Sequence, residues 1–385
     1  MPMTGGEDWL EWSWSIAWER GWPELREVLQ SAKAMASRGM VEGEALDVFE
    51  FGGQPAVMSP GGARLGRGNK GPYMPWRFTS QGLVFLVADR AEPHRTLPSV
   101  VVRADGRACL TVPAEKLWDR AGNLLASLGG RVQRERLTRV DPCLDLPGVA
   151  IGPIMEAYEA GAFVTRAKAH QINRGNRGTT VYIGRSPQLR VYDKLAELNA
   201  KGDVVKHALT AYHRWSGVEP RAATRAEFQL DRLTLKSRGI DTVRDYFDKR
   251  ADLVAYLAND WVRFTTERPD PTHTTRARTL PMWSMIQRGF ADWVGRPIGV
   301  PLDPLPRESY ETSLLIKSAL GLVMTAAVRR GKTFGTEGDL LRFAAVELKT
   351  ILRDTDWRAR MMRKAVEFVD EGGAEGVYAV RSGQH

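Results

Sequence analysis

Residues 8–18 alternate with a period of two. Leu10, Trp12, Trp14, Ile16 and Trp18 share one face, and Glu11, Ser13 and Ser15 share the other. Successive side chains of a strand point to opposite faces, so the pattern predicts a half-buried strand with its tryptophans in a core. From Pro23 the apolar period lengthens to that of a helix, which stops at Gly39. A returning strand is predicted over 45–51, then strands over 76–79 and 83–88 joined through Ser80-Gln81-Gly82. Strand 99–102, helix 113–128, strand 138–146, helix 153–160 and strand 163–168 follow. Two short strands, 180–183 and 189–192, flank a Gly-Arg-Ser-Pro turn. A helix over 195–200, a strand over 222–233 and helices from 241 to 265 come next. The stretch 268–278 is rich in Pro, Thr and Arg, and beyond it the period is helical over 282–294, 310–329, 337–353 and 357–371.

These elements predict an α+β chain of two ferredoxin-like β-α-β-β units, over 1–130 and 131–267. A linker over 268–280 and a helical C-terminal domain over 281–385 complete it. The two units read as a duplication. Arg67-Gly-Asn-Lys-Gly71 and Arg174-Gly-Asn-Arg-Gly178 are alike, and each precedes a strand pair. In that register Phe85 stands where Tyr192 stands, so only the second unit carries the hydroxyl.

Two nucleotide motifs are decoys. Gly66-Arg-Gly68-Asn-Lys-Gly71 matches the dinucleotide fingerprint, but no strong strand enters it and Pro72 follows where a helix should begin. Gly331-Lys332-Thr333 echoes the end of a P-loop, but Ala326 holds the required earlier glycine position. A Rossmann site and an ATPase are therefore excluded.

Hydrophobic content of 43% and charged content of 26% are those of a globular protein. No apolar run approaches membrane-spanning length, and the first residues lack the pattern of a signal peptide. Cys109 and Cys143 have neither metal-site nor disulfide spacing, so a reducing cytoplasm is expected. Net charge of +9 favours a polyanionic partner; no membrane partner is expected.

Within 189–194 Arg190, Tyr192 and Lys194 fall on one strand face. A tyrosine hydroxyl between two cations suits holding a phosphate and attacking it, since arginine grips two phosphate oxygens at once. Two more strands carry polar residues on a single face: Arg139, Asp141, Cys143 and Asp145 in one, Arg225, Glu227, Gln229 and Asp231 in the other. Asp141, Glu227 and Asp145 are hard oxygen ligands of the kind Mg²⁺ or Mn²⁺ prefers. Such a set predicts attack by Tyr192 on a phosphodiester and a 5′-phosphotyrosyl intermediate. Arg67, Lys70, Arg174, Arg177 and Arg185, in the basic loops and the hairpin turn, are the expected DNA contacts.

Asp8-Trp-Leu, Arg139-Val-Asp141 with Asp145, Tyr182-Ile-Gly184, Arg190-Val-Tyr192-Asp-Lys194 and Arg225-Ala-Glu227 together resemble the replication initiation factor family. These are the trans-acting Rep proteins of rolling-circle plasmids and some filamentous phages, with related relaxases of conjugative elements. The resemblance covers roughly residues 5–260. It implies nicking at a double-stranded origin through Tyr192, with Arg190 and Lys194 assisting and a divalent metal on Asp141, Glu227 and Asp145. It also implies DNA as partner, in the origin duplex and the nicked single strand, with a host helicase and polymerase and a second copy of the chain. None of the six histidines has the His-hydrophobic-His spacing of the larger rolling-circle class, which fits a carboxylate-liganded branch. A conjugative relaxase with the same chemistry and a non-catalytic DNA binder are the competing readings.

Overall fold

The computed structural model describes residues 2–19, 21–42, 48–66, 71–175, 178–297, 299, 307–353 and 356. The chain divides into two compact units at residues 305 and 306. In the first half of the larger unit β1 (Thr4–Trp18) leads to α1 (Trp22–Glu42), β2 (Val48–Phe51) and β3 (Gln54–Met58). A two-strand arm, β4 (Ala63–Arg64) with β5 (Tyr73–Met74), precedes β6 (Trp76–Ser80), β7 (Leu83–Val87) and β8 (Val100–Ala104). Helices α2 (Gly106–Thr111) and α3 (Ala114–Ser127) close that half.

The second half runs β9 (Gly130–Pro147), α4 (Gly152–Glu159), β10 (Phe163–Thr165), β11 (His170–Gly175), β12 (Gly178–Gly184) and β13 (Gln188–Asp193). It continues with α5 (Lys194–Lys201), α6 (Val204–Arg214), β14 (Ala223–Asp231), α7 (Arg232–Ser237) and α8 (Val243–Tyr256). It ends with β15 (Val262–Phe264) and α9 (Pro281–Val294). The smaller unit contains α10 (Arg307–Arg329) and α11 (Glu337–Arg353); the predicted helix over 357–371 lies outside the described residues.

Eleven strands form one sheet in the order β11-β12-β13-β14-β9-β1-β8-β7-β6-β3-β2, every pair antiparallel. The tryptophans of β1 do what their spacing predicts. Trp12 and Trp14 are buried between the sheet and its helices, and the Trp14 and Trp118 indoles both donate to Glu135. Leu29 of α1, Leu117 of α3, Leu253 of α8 and Phe290 of α9 fill the same core. On the opposite face the second half of the sheet is only partly covered. There Leu198 of α5 packs with Trp215 and Ala223.

Three expectations change. The sheet runs unbroken across residue 130, so the halves over 1–130 and 131–267 share one sheet and one core. Helix α9, expected beyond the linker, instead sits in that core: Trp283, Ile286 and Phe290 recur on one helix face and are buried, and the Trp283 indole donates to the Ala258 carbonyl at 2.9 Å. Phe85 is not the counterpart of Tyr192. It packs against Phe51 and Phe78 in the core, whereas Tyr192 lies on the other face; a shift of one residue along a strand exchanges the two faces. Among the described residues no helix is long and apolar enough to cross a membrane.

The β12–β13 hairpin is shaped by Gly184. Its φ of +77° lies in the left-handed region, and a Cβ there would come within 2.4 Å of the Pro187 carbonyl oxygen and 2.8 Å of the Trp261 ring. Gly184→Ala is therefore expected to cost about 1–3 kcal/mol or more, read as a lowered midpoint in urea unfolding. An unchanged midpoint would mean that the turn relaxes freely.

Candidate active site

β13 lies between β12 and β14, and the register sets its polar residues against theirs. Tyr192 pairs with Thr180 and Arg225, and Arg190 with Tyr182 and Glu227. Leu189 and Val191 fill the core, so Arg190 and Tyr192 face the partly covered side. The Tyr192 hydroxyl donates to Glu227 Oε2 at 2.9 Å, and the Arg190 guanidinium pairs with Oε1 of the same carboxylate. Burial pushes the Tyr192 phenol well above its ordinary value, and the Glu227 charge adds to this. The hydroxyl therefore stays protonated at neutral pH, with its proton directed at the Glu227 carboxylate.

Behind this pair lies a buried ionic set. Arg225 donates through Nε and Nη2 to both oxygens of Asp145, at 2.5 and 2.6 Å, and through Nη1 to Asp8 at 2.7 Å. Both Arg225 and Asp145 are 0% exposed. Burial alone would raise the Asp8 carboxyl, but Arg225, Lys194, Lys206 and Arg214 hold it well below the usual carboxylate range. Asp8 and Trp9 occupy a β-bulge: Glu7 pairs with Pro142 and Leu10 with Val140, leaving two residues of β1 against Asp141.

Two cavities open on this face. The larger, about 630 Å³, is lined by Tyr192, Arg190, Tyr182, Arg174, Lys201 and Lys206 among others. The smaller, about 440 Å³, has Trp9, Arg107, Arg139 and Asp141 in its wall. Asp8, Arg190, Lys201 and Lys206 border both, so the two are neighbours along one cleft, in which cations outnumber acids in the larger part and nearly balance them in the smaller.

The expected site residues separate into groups. Tyr192, Arg190 and Glu227 come together as described. Lys194 does not join them on a strand face: it opens α5 after the Asp193 cap, is 1% exposed, and donates to Glu197 at 2.8 Å. Its ammonium lies 5.7 Å from the Tyr192 ring centroid and lines neither cavity. Arg174 lines the larger cavity and pairs with Glu159, while Arg185 is exposed in the turn and lines neither cavity. Arg67, Lys70 and Arg177 lie outside the described residues.

The three proposed metal ligands differ from one another. Asp145 has both oxygens taken by a buried guanidinium, so its chemistry fits holding Arg225 and not a metal. Asp141 accepts from Arg139 at 2.9 and 2.5 Å. Burial pushes its carboxyl up to about 7, with the Glu227 charge adding to this and Arg139 opposing it. Both oxygens of Asp141 are thus taken by a guanidinium, as those of Asp145 are, and both oxygens of Glu227 by Arg190 and Tyr192, so a cation would bind here only in place of those partners. Among the described residues no group of three His, Cys, Asp or Glu is placed to hold a metal ion. Burial also raises both thiols, Cys143 to about 12, so neither is an activated nucleophile.

Sequence reading missed Asp8 as a cleft residue and missed α6, which supplies Lys206. For Asp8 the signal is an acid at the parity of Leu10, a buried position that only a bulge can release. For α6 it is Gly202-Asp203: the glycine ends α5 at φ +64°, and Asp203 caps α6 through the Lys206 amide at 2.9 Å.

No protein-family profile matches the chain, and no curated protein matches it. Among solved structures it is similar to the rolling circle replication initiator protein from Geobacillus stearothermophilus. The TM-score is 0.43 at 14% identity, over 77% of this chain and 100% of that one. A likeness that weak does not establish a shared activity.

Proposed function

We propose that the chain nicks one strand of DNA by transesterification through Tyr192, as a rolling-circle replication initiator acting at an origin. The observation that carries this reading is Tyr192, which lines the larger, mainly cationic cavity and whose hydroxyl donates at 2.9 Å to the fully buried Glu227 behind it. The Tyr192 oxygen attacks the phosphorus, and its proton passes to Glu227. The bond from phosphorus to the 3′ oxygen breaks, that oxygen takes a proton from water, and the 5′ phosphate stays on the tyrosine. Arg190 lies beside the attacking oxygen and offsets phosphate charge that grows in the transition state. A divalent cation displacing Arg139 from Asp141 and Arg190 from Glu227 Oε1 would polarise the phosphodiester, leaving Glu227 Oε2 for the Tyr192 proton. The freed 3′ end would then serve a host helicase and polymerase. The motif resemblance supports an origin as the target; a conjugative relaxase would run the same reaction. The duplicated-unit reading of the fold is supported by strand order, since β9, β14, β13 and β12 follow one another as β1, β8, β7 and β6 do.

The test is relaxation of supercoiled DNA carrying the gene's flanking region, with Mg²⁺ or Mn²⁺. The wild type is expected to nick it and to be trapped on the 5′ end. Glu227→Gln keeps the shape but cannot take the proton, so its nicking rate should fall about 10²–10⁴-fold with DNA binding retained. Binding without nicking by the wild type would instead support a non-catalytic DNA binder.

A further inference from the structure

The bulge in β1 does more than admit Asp8 to the cleft. In a regular strand Asp8 and Trp9 would point to opposite faces, yet both line the smaller cavity. The Trp9 ring is partly exposed there, with the Arg139 guanidinium 5.0 Å from its centroid. Arg139 is itself held on Asp141, and Arg107 on Asp203 at 2.6 Å. With its arginines each paired to a carboxylate, the cavity suits a flat base and a single phosphodiester better than a polyphosphate. Its size is that of a small-molecule pocket.

The wall shared with the larger cavity is kept open by Gly106. A Cβ there would come within 2.6 Å of Lys206 Nζ and 2.9 Å of Asp8 Oδ1. Lys206 stands only loosely on Asp8, at 3.9 Å, so its ammonium has protons left for an incoming phosphate.

We propose that the smaller cavity binds the deoxynucleotide on the leaving, 3′-hydroxyl side of the cut, with its base stacked beside Trp9. This rests on Tyr192 as the nucleophile. In-line displacement places the leaving oxygen across the phosphorus from the attacking one. Tyr192 lines only the larger cavity, so a phosphate at the shared wall of Arg190 and Lys206 sends the leaving nucleotide into the smaller one. The 5′-linked strand stays in the larger cavity. Trp9 is a positioning residue in this scheme and touches no reacting atom.

The test uses the Tyr192→Phe protein, which binds without cutting, and oligonucleotides spanning the mapped nick. 2-Aminopurine replaces the nucleotide on the 3′-hydroxyl side of the nick in one oligonucleotide and that on the 5′-phosphate side in another. The first probe should be quenched on binding and the second much less. Adding Trp9→Ala should remove the quenching and weaken binding of an oligonucleotide ending at the 3′-hydroxyl side on the order of ten-fold, while one beginning at the 5′ phosphate binds unchanged. Trp9→Phe should restore most of the affinity. Equal losses for both oligonucleotides, or none, would overturn the subsite and leave Tyr192 untouched. A wild type that nicks no DNA would end the nucleophile reading and the subsite with it.

Discussion

Tyr192→Phe is expected to lose nicking and covalent capture together, by about 10⁴-fold or more, while DNA binding and thermal unfolding stay close to wild type. Loss of a nucleophile is of that order because the remaining groups hold substrate without forming the new bond. The ring has the same shape, and only one hydrogen bond, to Glu227, is removed. Nicked-circle formation on gels and retention of DNA on denatured protein measure the two losses independently. A variant that still nicks would move the assignment to Tyr182, which lies across the strand pair from Arg190 and lines the same cavity.

Arg225→Leu is expected to be the most destabilising change near the site, at about 3–5 kcal/mol by urea unfolding. It leaves Asp145, 0% exposed, with neither of its charge-assisted hydrogen bonds, and takes from Asp8 its closest cation. The loss should grow as pH rises out of the acid range. Against burial, Arg225 does most to hold the Asp8 carboxyl well below its unfolded value, and the stability this gives, present above the unfolded value and lost as pH falls, is missing from the variant. Arg225→Leu combined with Asp145→Leu should recover much of the loss, because no unpaired charge then remains between β9 and β14. A single-variant loss below about 1 kcal/mol would mean that water reaches the pair.

Much of this arrangement could be read from the chain. The period-two pattern of β1 placed its tryptophans in the core, and the alternation in β13 and β14 put Arg190, Tyr192 and Glu227 on one face. What alternation cannot give is which acid each cation meets. Asp145 and Glu227 look equivalent as ligands in sequence, yet register opposes Arg225 to the first and Arg190 to the second. Lys194 departs from the strand pattern because Asp193 caps a helix at that point, through the Ala196 amide at 2.9 Å. The place of α9 was hidden for a different reason: an apolar helix face states that it is buried and does not state against what. Trp9 was passed over because its parity puts it with the solvent-facing residues of β1, and a bulge leaves almost no mark in sequence.

The most direct measurement is the chemical identity of the residue joined to DNA. Wild-type protein incubated with its nicked substrate, denatured, treated with nuclease and digested with trypsin would be examined by mass spectrometry. Cleavage after Arg190 and after Lys194 isolates residues 191–194, which contain a single tyrosine. A nucleotide attached through phosphate to Tyr192 in that peptide is the predicted result. A nucleotide on any other peptide, or nicking with no protein-linked nucleotide, would contradict it.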